Sequence, residues 1–297
     1  MSASAQVTPA VLQAGIDRLL RCPICCQQDW KHVHRVRGAS ISKCVQCGLL
    51  GTTDFLTGVN TTQGIYETSP EHHLVYRQQY MDRRQPMYER VMPSLERFRK
   101  TGRLLEVGCS YGYFLEVARR AGWRAEGVEI SGYAAGVASS KGFEIHQGEL
   151  QALALDPGSY DVIVMWDVIE HLLNPAEVVE RCAELLLPGG ALIARTPNGH
   201  ALGTRGGLPG LAYRQLAYPA NTPEHVFHFT PESLSSLLRK KGFERVETDN
   251  YEGWEERIIS GRNAIVRMGR RLIMRYALFR GWPYEFLIMG MKGQIGS

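Results

Sequence analysis

The strongest constraint on the fold is a regular alternation of strand and helix patterns that begins near residue 103. Short apolar runs predict strands at 104–107, 124–128, 143–146, 160–166 and 191–195, with amphipathic helices at 114–121, 134–141 and 176–186. A capped helix at 230–241 and strands at 243–248 and 285–291 follow. This alternation predicts an α/β fold with a parallel, doubly wound sheet of seven strands and a ligand site at the strands' carboxyl ends.

The turn after the first of these strands is rich in glycine. Glu106, Gly108 and Gly112 form a Glu-x-Gly-x-x-x-Gly pattern that leads into a helix, whose first N–H groups are free to bind a ligand. Glu129 ends the next strand about twenty residues later, where an acid can bind a ribose diol. Together these residues indicate an adenosine-containing cofactor, although a tight turn with a surface carboxylate would give the same pattern.

Five segments in this order resemble the motifs of class I S-adenosylmethionine-dependent methyltransferases, at 104–115, 127–131, 148–150, 160–172 and 187–192. The resemblance covers about 103–248 and implies a Rossmann-like fold, S-adenosylmethionine as cofactor and an enzyme of EC 2.1.1.-. It does not identify the acceptor. The cofactor-binding residues that it implies are Tyr66, Glu106, Gly108, Cys109, Ser110, Gly112, Glu129, Ile130, Glu149, Leu150 and Trp166.

Four of the seven cysteines form two Cys-x-x-Cys pairs, Cys22 with Cys25 and Cys44 with Cys47. Each pair can sit on a tight turn, and the β-forming residues between the pairs predict a short hairpin, as in a small N-terminal zinc ribbon. Four thiolates leave no open position on the metal, so we expect a structural zinc. The alternative is that these cysteines are ordinary buried residues. Cys26 is not expected to be a ligand.

The organisation also resembles a subgroup in which a four-cysteine zinc module precedes the methyltransferase fold, as in antibiotic-sugar and cell-envelope methyltransferases. There a tyrosine-containing segment closes over the cofactor, and Tyr66, Tyr76 and Tyr80 match it here. The chain lacks the large additional C-terminal domain of the sugar C-methyltransferases in that subgroup. C-methylation of a nucleotide-bound sugar therefore does not follow from the resemblance.

These patterns predict four regions. They are an N-terminal extension at 1–20, a zinc-binding module at 21–60, a helical lid or linker at 61–100 and the methyltransferase domain at 101–297. The third region reads as a helix from Tyr76 to Lys100, with a kink or break expected at Pro86 or Pro93.

Titratable side chains follow the fourth strand, where the reactive methyl group should lie. Asp167, Glu170 and His171 come directly after this strand, and His225 precedes a helix over the same edge. An imidazole suits proton removal from a hydroxyl at neutral pH, so His171 and His225 are candidate bases. Either histidine could instead only shape the pocket, and for His228 a structural role is favoured.

The net charge of +4 has a local origin. Seven arginines and no acid lie between Arg257 and Tyr284, so the rest of the chain carries −3 once these seven are subtracted. Residues 262–280 can form a packed helix with a solvated basic face, or a helix that contacts an anionic membrane or a lipid-linked substrate. The chain has neither a signal-peptide pattern nor an apolar run of membrane-spanning length, which favours the cytoplasm.

Three functions fit the sequence. The favoured one is methyl transfer to a small-molecule acceptor. Among such acceptors, a hydroxyl of a sugar, lipid-linked saccharide or natural product is favoured. An RNA methyltransferase that uses the zinc module to bind nucleic acid is less favoured, because the basic residues of the module are not interleaved with aromatic ones. A cofactor-binding scaffold without activity is the third. The oligomeric state stays open.

Overall fold

The computed structural model describes residues 21–36, 39–52, 70–203, 225–251 and 285–293, together with Met268, Leu272 and Arg275. The strands are β1 (Trp30–Val36), β2 (Ala39–Cys44), β3 (Leu50–Thr52), β4 (Arg103–Val107), β5 (Arg124–Glu129), β6 (Glu144–Gln147), β7 (Tyr160–Trp166), β8 (Leu186–Pro197), β9 (Phe227–His228), β10 (Phe243–Tyr251) and β11 (Glu285–Lys292). The α-helices are α1 (Pro70–Leu95), α2 (Tyr113–Arg120), α3 (Gly132–Ser140), α4 (Pro175–Leu185), α5 (His200–Gly203) and α6 (Pro231–Lys240). Single 3-10 turns lie at Glu96–Phe98, Leu150–Ala152 and Ile169–His171.

The larger sheet has seven strands in the order β10-β11-β8-β7-β4-β5-β6. The predicted α/β sheet is confirmed, and the strands from β8 to β6 run parallel to one another. The expectation of a wholly parallel sheet is wrong, because β11 is antiparallel to both β8 and β10. Apolar runs predict where a strand lies but not its direction, which depends on the path of the connection.

Both faces of the larger sheet are covered, so its central strand β7 is buried at every position. Val162, Val164 and Trp166 pack with residues of α1 and α2 on one face. Ile163 and Met165 pack with residues of α4 and α6 on the other face. Side chains alternate along a strand, so a strand covered on both sides needs a continuous apolar run rather than an alternating one.

The helix before the larger sheet differs from its prediction at both ends and at its prolines. It begins at Pro70 rather than Tyr76, ends at Leu95 and contains Pro86 and Pro93 without interruption. Both prolines are exposed, so the backbone carbonyls that they leave without an N–H partner lie on the outer face, where water can bind them.

The turn between α4 and β8 also differs from its prediction. The helix was expected to end at Leu186 and ends at Leu185, but the strand, expected to begin at Ala191, already begins at Leu186. Pro188, Gly189 and Gly190 therefore belong to β8 rather than to a turn before it. A Cβ on Gly190 would lie 2.8 Å from the carbonyl oxygen of Asp161, so only glycine lets the two strands approach here. At α6 the predicted cap is confirmed, because the Thr230 hydroxyl accepts a hydrogen bond from the backbone of Ser233.

The smaller sheet has four antiparallel strands in the order β1-β2-β3-β9. The hairpin predicted between the cysteine pairs is confirmed as β1 and β2. The fourth strand, β9, comes from the segment directly before α6, and the sequence did not indicate that it joins this sheet. The domain boundaries stay predictions.

Little of the basic C-terminal segment is described. Met268, Leu272 and Arg275 are helical, and the side chains of the first two are 61% exposed. The rest of the predicted stripe lies outside the described residues, so contact with a membrane or lipid-linked substrate stays a prediction. None of the helices within the described ranges has the length and apolar character that a membrane span requires.

Candidate active site and cysteine cluster

The loop between β4 and α2 depends on two glycines with left-handed backbone angles. Gly108 has φ +73° and Gly112 has φ +74°. A Cβ on Gly108 would lie 2.6 Å from Cγ2 of Val168, and one on Gly112 would lie 3.1 Å from Cβ of Ala138. The loop can therefore keep this shape only with glycine at Gly108, where both the backbone angle and the space require it.

Glu129 joins this loop to the start of α3. Its carboxylate accepts hydrogen bonds from the backbone N–H of Ser110 and of Ser131, both at 2.8 Å. Burial raises the pKa of Glu129, while these two N–H groups oppose the rise. One buried acid thus links the loops at the carboxyl ends of β4 and β5, and its role in binding a ribose stays a prediction.

Two buried polar atoms near this loop lack a hydrogen-bond partner among the described residues, Oε2 of Glu106 and Nε1 of Trp166. Burial raises the pKa of Glu106 well above its ordinary value, and Glu129 adds to the rise. Of the other predicted cofactor residues, Cys109 and Leu150 are buried, Ile130 is half-buried and Glu149 is exposed. Tyr66 lies outside the described residues, so its assignment stays a prediction.

The first turn of α1 covers the glycine-rich loop, a contact that the sequence did not indicate. The ring of His73 stacks on Tyr111, with the ring centroids 4.1 Å apart, and its Nε2 lies 2.9 Å from the hydroxyl of Tyr113. The sequence predicted a helical lid or linker here but could not show which part of the sheet edge the helix contacts.

Another part of the same sheet edge is organised around Asp167, which directly follows β7. Its carboxylate accepts hydrogen bonds from Arg84 of α1 at 2.6 Å and from the buried Arg195 of β8 at 2.7 Å. Burial would raise the pKa of Asp167, but these two guanidinium groups outweigh it and lower the pKa. Asp167 also has φ +54°, a strained angle for a residue with a side chain, and such strain is concentrated at functional sites. Neither arginine was predicted.

Glu170, His171 and His225 come together beside Asp167. The His171 and His225 rings lie 4.8 Å apart in an edge-to-face arrangement. Burial lowers the pKa of His225 to about 3; His171 adds to the fall and Asp167 opposes it. Burial raises the pKa of Glu170 to about 8, and Asp167 adds to the rise. The structure thus unites the four predicted catalytic residues, whose roles stay predictions.

The sulfur atoms of Cys22, Cys25, Cys44 and Cys47 form one cluster within 4.8 Å of one another. The Sγ atoms of Cys22 and Cys47 are 3.2 Å apart, and those of Cys25 and Cys44 are 3.5 Å apart. Four sulfurs bound to one tetrahedral zinc would be separated by about 3.8 Å. A hydrogen bond from Cys22 lowers the pKa of Cys47 to about 5, which favours its thiolate form. The cluster fits a zinc ion.

The two cysteine turns have the same backbone pattern. The N–H of Cys26 donates to the carbonyl of Cys22, and the N–H of Gly48 donates to the carbonyl of Cys44, at 2.8 and 2.9 Å. Cys26 and Gly48 both have left-handed φ angles, of 60° and 80°. Cys26 therefore takes the position that glycine fills in the second turn, and its side chain is exposed rather than part of the cluster.

A known protein family matches this arrangement. The family described as "Methyltransferase domain" matches residues 77–248, which include the greater part of α1, the glycine-rich loop, Glu129 and the edge at Asp167. The chain belongs to this family. It is a class I S-adenosylmethionine-dependent methyltransferase, as the motifs implied.

Two similar curated proteins are named ubiquinone biosynthesis O-methyltransferase. The methyltransferase is 31% identical to the one from Ralstonia nicotianae over 170 residues, which are 55% of this chain and 70% of that protein. It is 30% identical to the one from Burkholderia vietnamiensis over 152 residues, which are 49% of this chain and 66% of that protein. The match thus spans about half of this chain and about two thirds of the relatives.

Solved structures show the same fold at low sequence identity. A methyltransferase from Archaeoglobus fulgidus has a TM-score of 0.55 and 19% identity, covering 74% of this chain and all of its own. A phosphoethanolamine N-methyltransferase from Haemonchus contortus, bound to S-adenosyl-L-methionine, has a TM-score of 0.57 and 14% identity, covering 89% of this chain and 71% of its own. These likenesses support the methyltransferase fold.

Proposed function

We propose that this methyltransferase transfers the methyl group of S-adenosylmethionine to a hydroxyl of a small molecule, such as a sugar, lipid-linked saccharide or natural product. The observation that carries this proposal is the pair of imidazoles, His171 and His225, at the edge where the methyl group should lie. A hydroxyl acceptor has a proton to lose, and an imidazole can take it. The O-methyltransferases among the relatives support oxygen as the acceptor atom.

The cofactor would lie across the carboxyl ends of β4 and β5. Bound S-adenosylmethionine supplies a methyl group that its sulfonium already activates. Gly108 and Gly112 would let the backbone approach it closely, and Glu129 would bind its ribose. The orphaned atoms of Glu106 and Trp166 fit a polar ligand at this site, because a buried polar group without a partner costs stability.

The charged groups around the two imidazoles would assist removal of the proton from the acceptor hydroxyl. The low pKa of His225 keeps its ring neutral at pH 7, which leaves a ring nitrogen available for a proton but also makes the ring a weak base in the absence of a bound acceptor. When a proton arrives, the nearby Asp167 carboxylate stabilises the imidazolium ion. Arg84 and Arg195 keep Asp167 ionised and fixed in place. The histidine that touches the acceptor would be the base.

We also propose that Cys22, Cys25, Cys44 and Cys47 hold one structural zinc, because the sulfur cluster matches a tetrahedral site closed to water. Metal analysis of the purified chain should find close to one zinc. Replacement of both Cys22 and Cys25 by serine should remove it, whereas replacement of the exposed Cys26 should not. Zinc that survives the double replacement would contradict the assignment.

The experiment for the main proposal compares the turnover of wild type, His171→Ala and His225→Ala at several pH values on a panel of hydroxylated small molecules. RNA is tested in parallel as an alternative acceptor. Loss of the base should lower turnover roughly 10²- to 10⁴-fold at neutral pH and leave cofactor affinity unchanged. The loss should lessen at high pH, where the acceptor ionises by itself. His32→Ala, on the exposed hairpin, is the matched control. If both variants keep normal rates, or only RNA is methylated, the proposal fails.

A further inference from the structure

The third strand of the smaller sheet links the cysteine cluster to the segment that carries His225. Strand β3 begins three residues after Cys47 and pairs with β9, with Leu50 opposite His228 and Gly51 opposite Phe227. The backbone N–H of Thr52 donates to the carbonyl of Val226 at 2.9 Å. The pairing therefore extends to the residue next to His225.

A buried side-chain hydrogen bond reinforces this pairing. The hydroxyl of Thr52 lies 2.8 Å from Nε2 of His228, and the two residues are 3% and 2% exposed. A buried hydrogen bond of this kind specifies one register, because any slip would leave both polar groups without a partner. His228 thus binds Thr52 of the cysteine module, which comprises the two cysteine turns and strands β1 to β3, and the centroid of its ring lies 6.0 Å from that of His225.

The other side of the same segment contacts the acceptor site. The backbone N–H of Val226 donates to the carbonyl of Glu170 at 2.9 Å, within the 3-10 turn that carries His171. The segment from His225 to His228 is therefore held between β3 and this turn. Apolar packing also links the cysteine turns to this segment. Val226 and Phe227 belong to the same hydrophobic core as Cys22, Ile24, Cys44 and Leu49.

We infer that the cysteine module is a positioning element for the acceptor site, with Thr52 and His228 as positioning residues that place His225 against His171. A module this small cannot form its own core, so metal binding by its four cysteines must supply much of its order. Loss of the metal would loosen β3 and, through it, β9. The expected effect on catalysis rests on the proposed function, in which His225 is a candidate base. The expected change in the position of the His225 ring does not depend on that function.

The test uses the full zinc-loaded chain and two substitutions of one residue. Thr52→Val removes the hydroxyl and keeps the shape, whereas Thr52→Ser keeps the hydroxyl. Thr248→Val, on the exposed edge strand β10, is the matched control. The readouts are the imidazole NMR signals of His225, assigned with His225→Gln, together with zinc content, S-adenosylmethionine affinity by calorimetry, and kcat and KM with any acceptor found.

Thr52→Val should shift or broaden the His225 signals and keep zinc and cofactor affinity. It should also lower kcat roughly tenfold to a hundredfold, since a catalytic group displaced by about 1 Å costs this much. Thr52→Ser should restore all of these. Removal of zinc from the wild-type chain by a chelator should change the same signals and keep cofactor binding, and zinc should reverse the change.

Unchanged His225 signals in both Thr52→Val and the zinc-free chain would overturn the inference. So would a loss of cofactor affinity as large as the loss of kcat, because the effect would then be general destabilisation. If Thr52→Val does not fold, the His225 signals of the zinc-free wild-type chain decide. The NMR, zinc and calorimetric readouts need no acceptor, so they separate a failure here from a failure of the proposed reaction.

Discussion

At the scale of single residues, the most unusual group is the carboxyl of Glu170. It is 1% exposed, and neither of its oxygens has a hydrogen-bond partner of good geometry among the described residues. The charge of Asp167 and burial both favour its neutral form. An ionised carboxylate at this buried position lowers the stability of the folded chain. Because Glu170 lies beside the two candidate bases, a functional role would explain why a carboxyl group is present here.

This cost predicts a pH-dependent effect of Glu170→Gln on stability. The pKa of Glu170 rises from about 4.3 in the unfolded chain to about 8 in the folded one, so the folded state binds the proton more tightly and wild-type stability falls between these pH values. A permanently neutral glutamine avoids this fall, which amounts to at most ~1.4 kcal/mol per pH unit.

The melting temperature of Glu170→Gln relative to wild type should therefore rise steadily from pH 4.5 to pH 8. Differential scanning fluorimetry at several pH values measures it. The exposed Glu177→Gln, on α4, controls for the loss of a carboxylate. A difference that is constant with pH would show that Glu170 does not titrate in this window.

At the scale of elements, the proposed cofactor site joins the ends of two strands. Glu129 ends β5 but binds the N–H of Ser110, in the loop after β4, as well as that of Ser131 at the start of α3. One carboxylate thus fixes two loops and would present its remaining lone pairs to a ribose.

Glu129→Ala should weaken S-adenosylmethionine binding. Loss of a hydrogen bond to a charged group costs roughly 1.5–3 kcal/mol, which corresponds to about a tenfold to hundredfold loss of affinity. Isothermal titration calorimetry measures it, with Glu184→Ala on the exposed face of α4 as control. Equal affinities of the two variants would remove Glu129 from the cofactor site.

Helix α1 acts on this site from outside the sheet. His73 in its first turn covers the glycine-rich loop, and Arg84, about three turns later, donates a hydrogen bond to Asp167. One helix therefore contacts both the glycine-rich loop and the edge at Asp167.

At the scale of the whole molecule, a buried charge network fastens the last strand to the core. Arg195 of β8 is fully buried between Asp167 at the active edge and Glu285 at the start of β11. Ninety residues separate Arg195 from Glu285. The ion pair helps hold β11 in the sheet and keeps Asp167 in place.

Glu285→Gln should destabilise the fold by about 3–5 kcal/mol, because it removes one partner of a buried ion pair. Asp167 remains as a partner of Arg195, which favours the lower end of this range. Urea unfolding measures the loss. The matched control is Glu247→Gln, which breaks an exposed pair with Arg97 and should cost less than about 1 kcal/mol. Similar costs for both would contradict a buried, fixed pair.

The sequence by itself determined the features that local physics encodes. Apolar periodicity located the strands of the larger sheet to within a few residues, because a buried strand and an amphipathic helix need different spacings. Gly108 and Gly112 marked the turn because their backbone angles exclude other residues. The Cys-x-x-Cys spacing predicted the clustered sulfurs, the β-forming residues between the two pairs predicted the hairpin, and Thr230 predicted the start of α6.

Only the tertiary structure decided how these elements meet. Thr52 and His228 are 176 residues apart, and nothing local to either predicts their hydrogen bond. The direction of β11, the stacking of His73 on Tyr111, and the arginines around Asp167 are likewise outcomes of packing. Residue patterns record the burial and backbone angles of their own segment, whereas a contact between distant segments depends on the whole set of competing contacts that the folded chain satisfies at once.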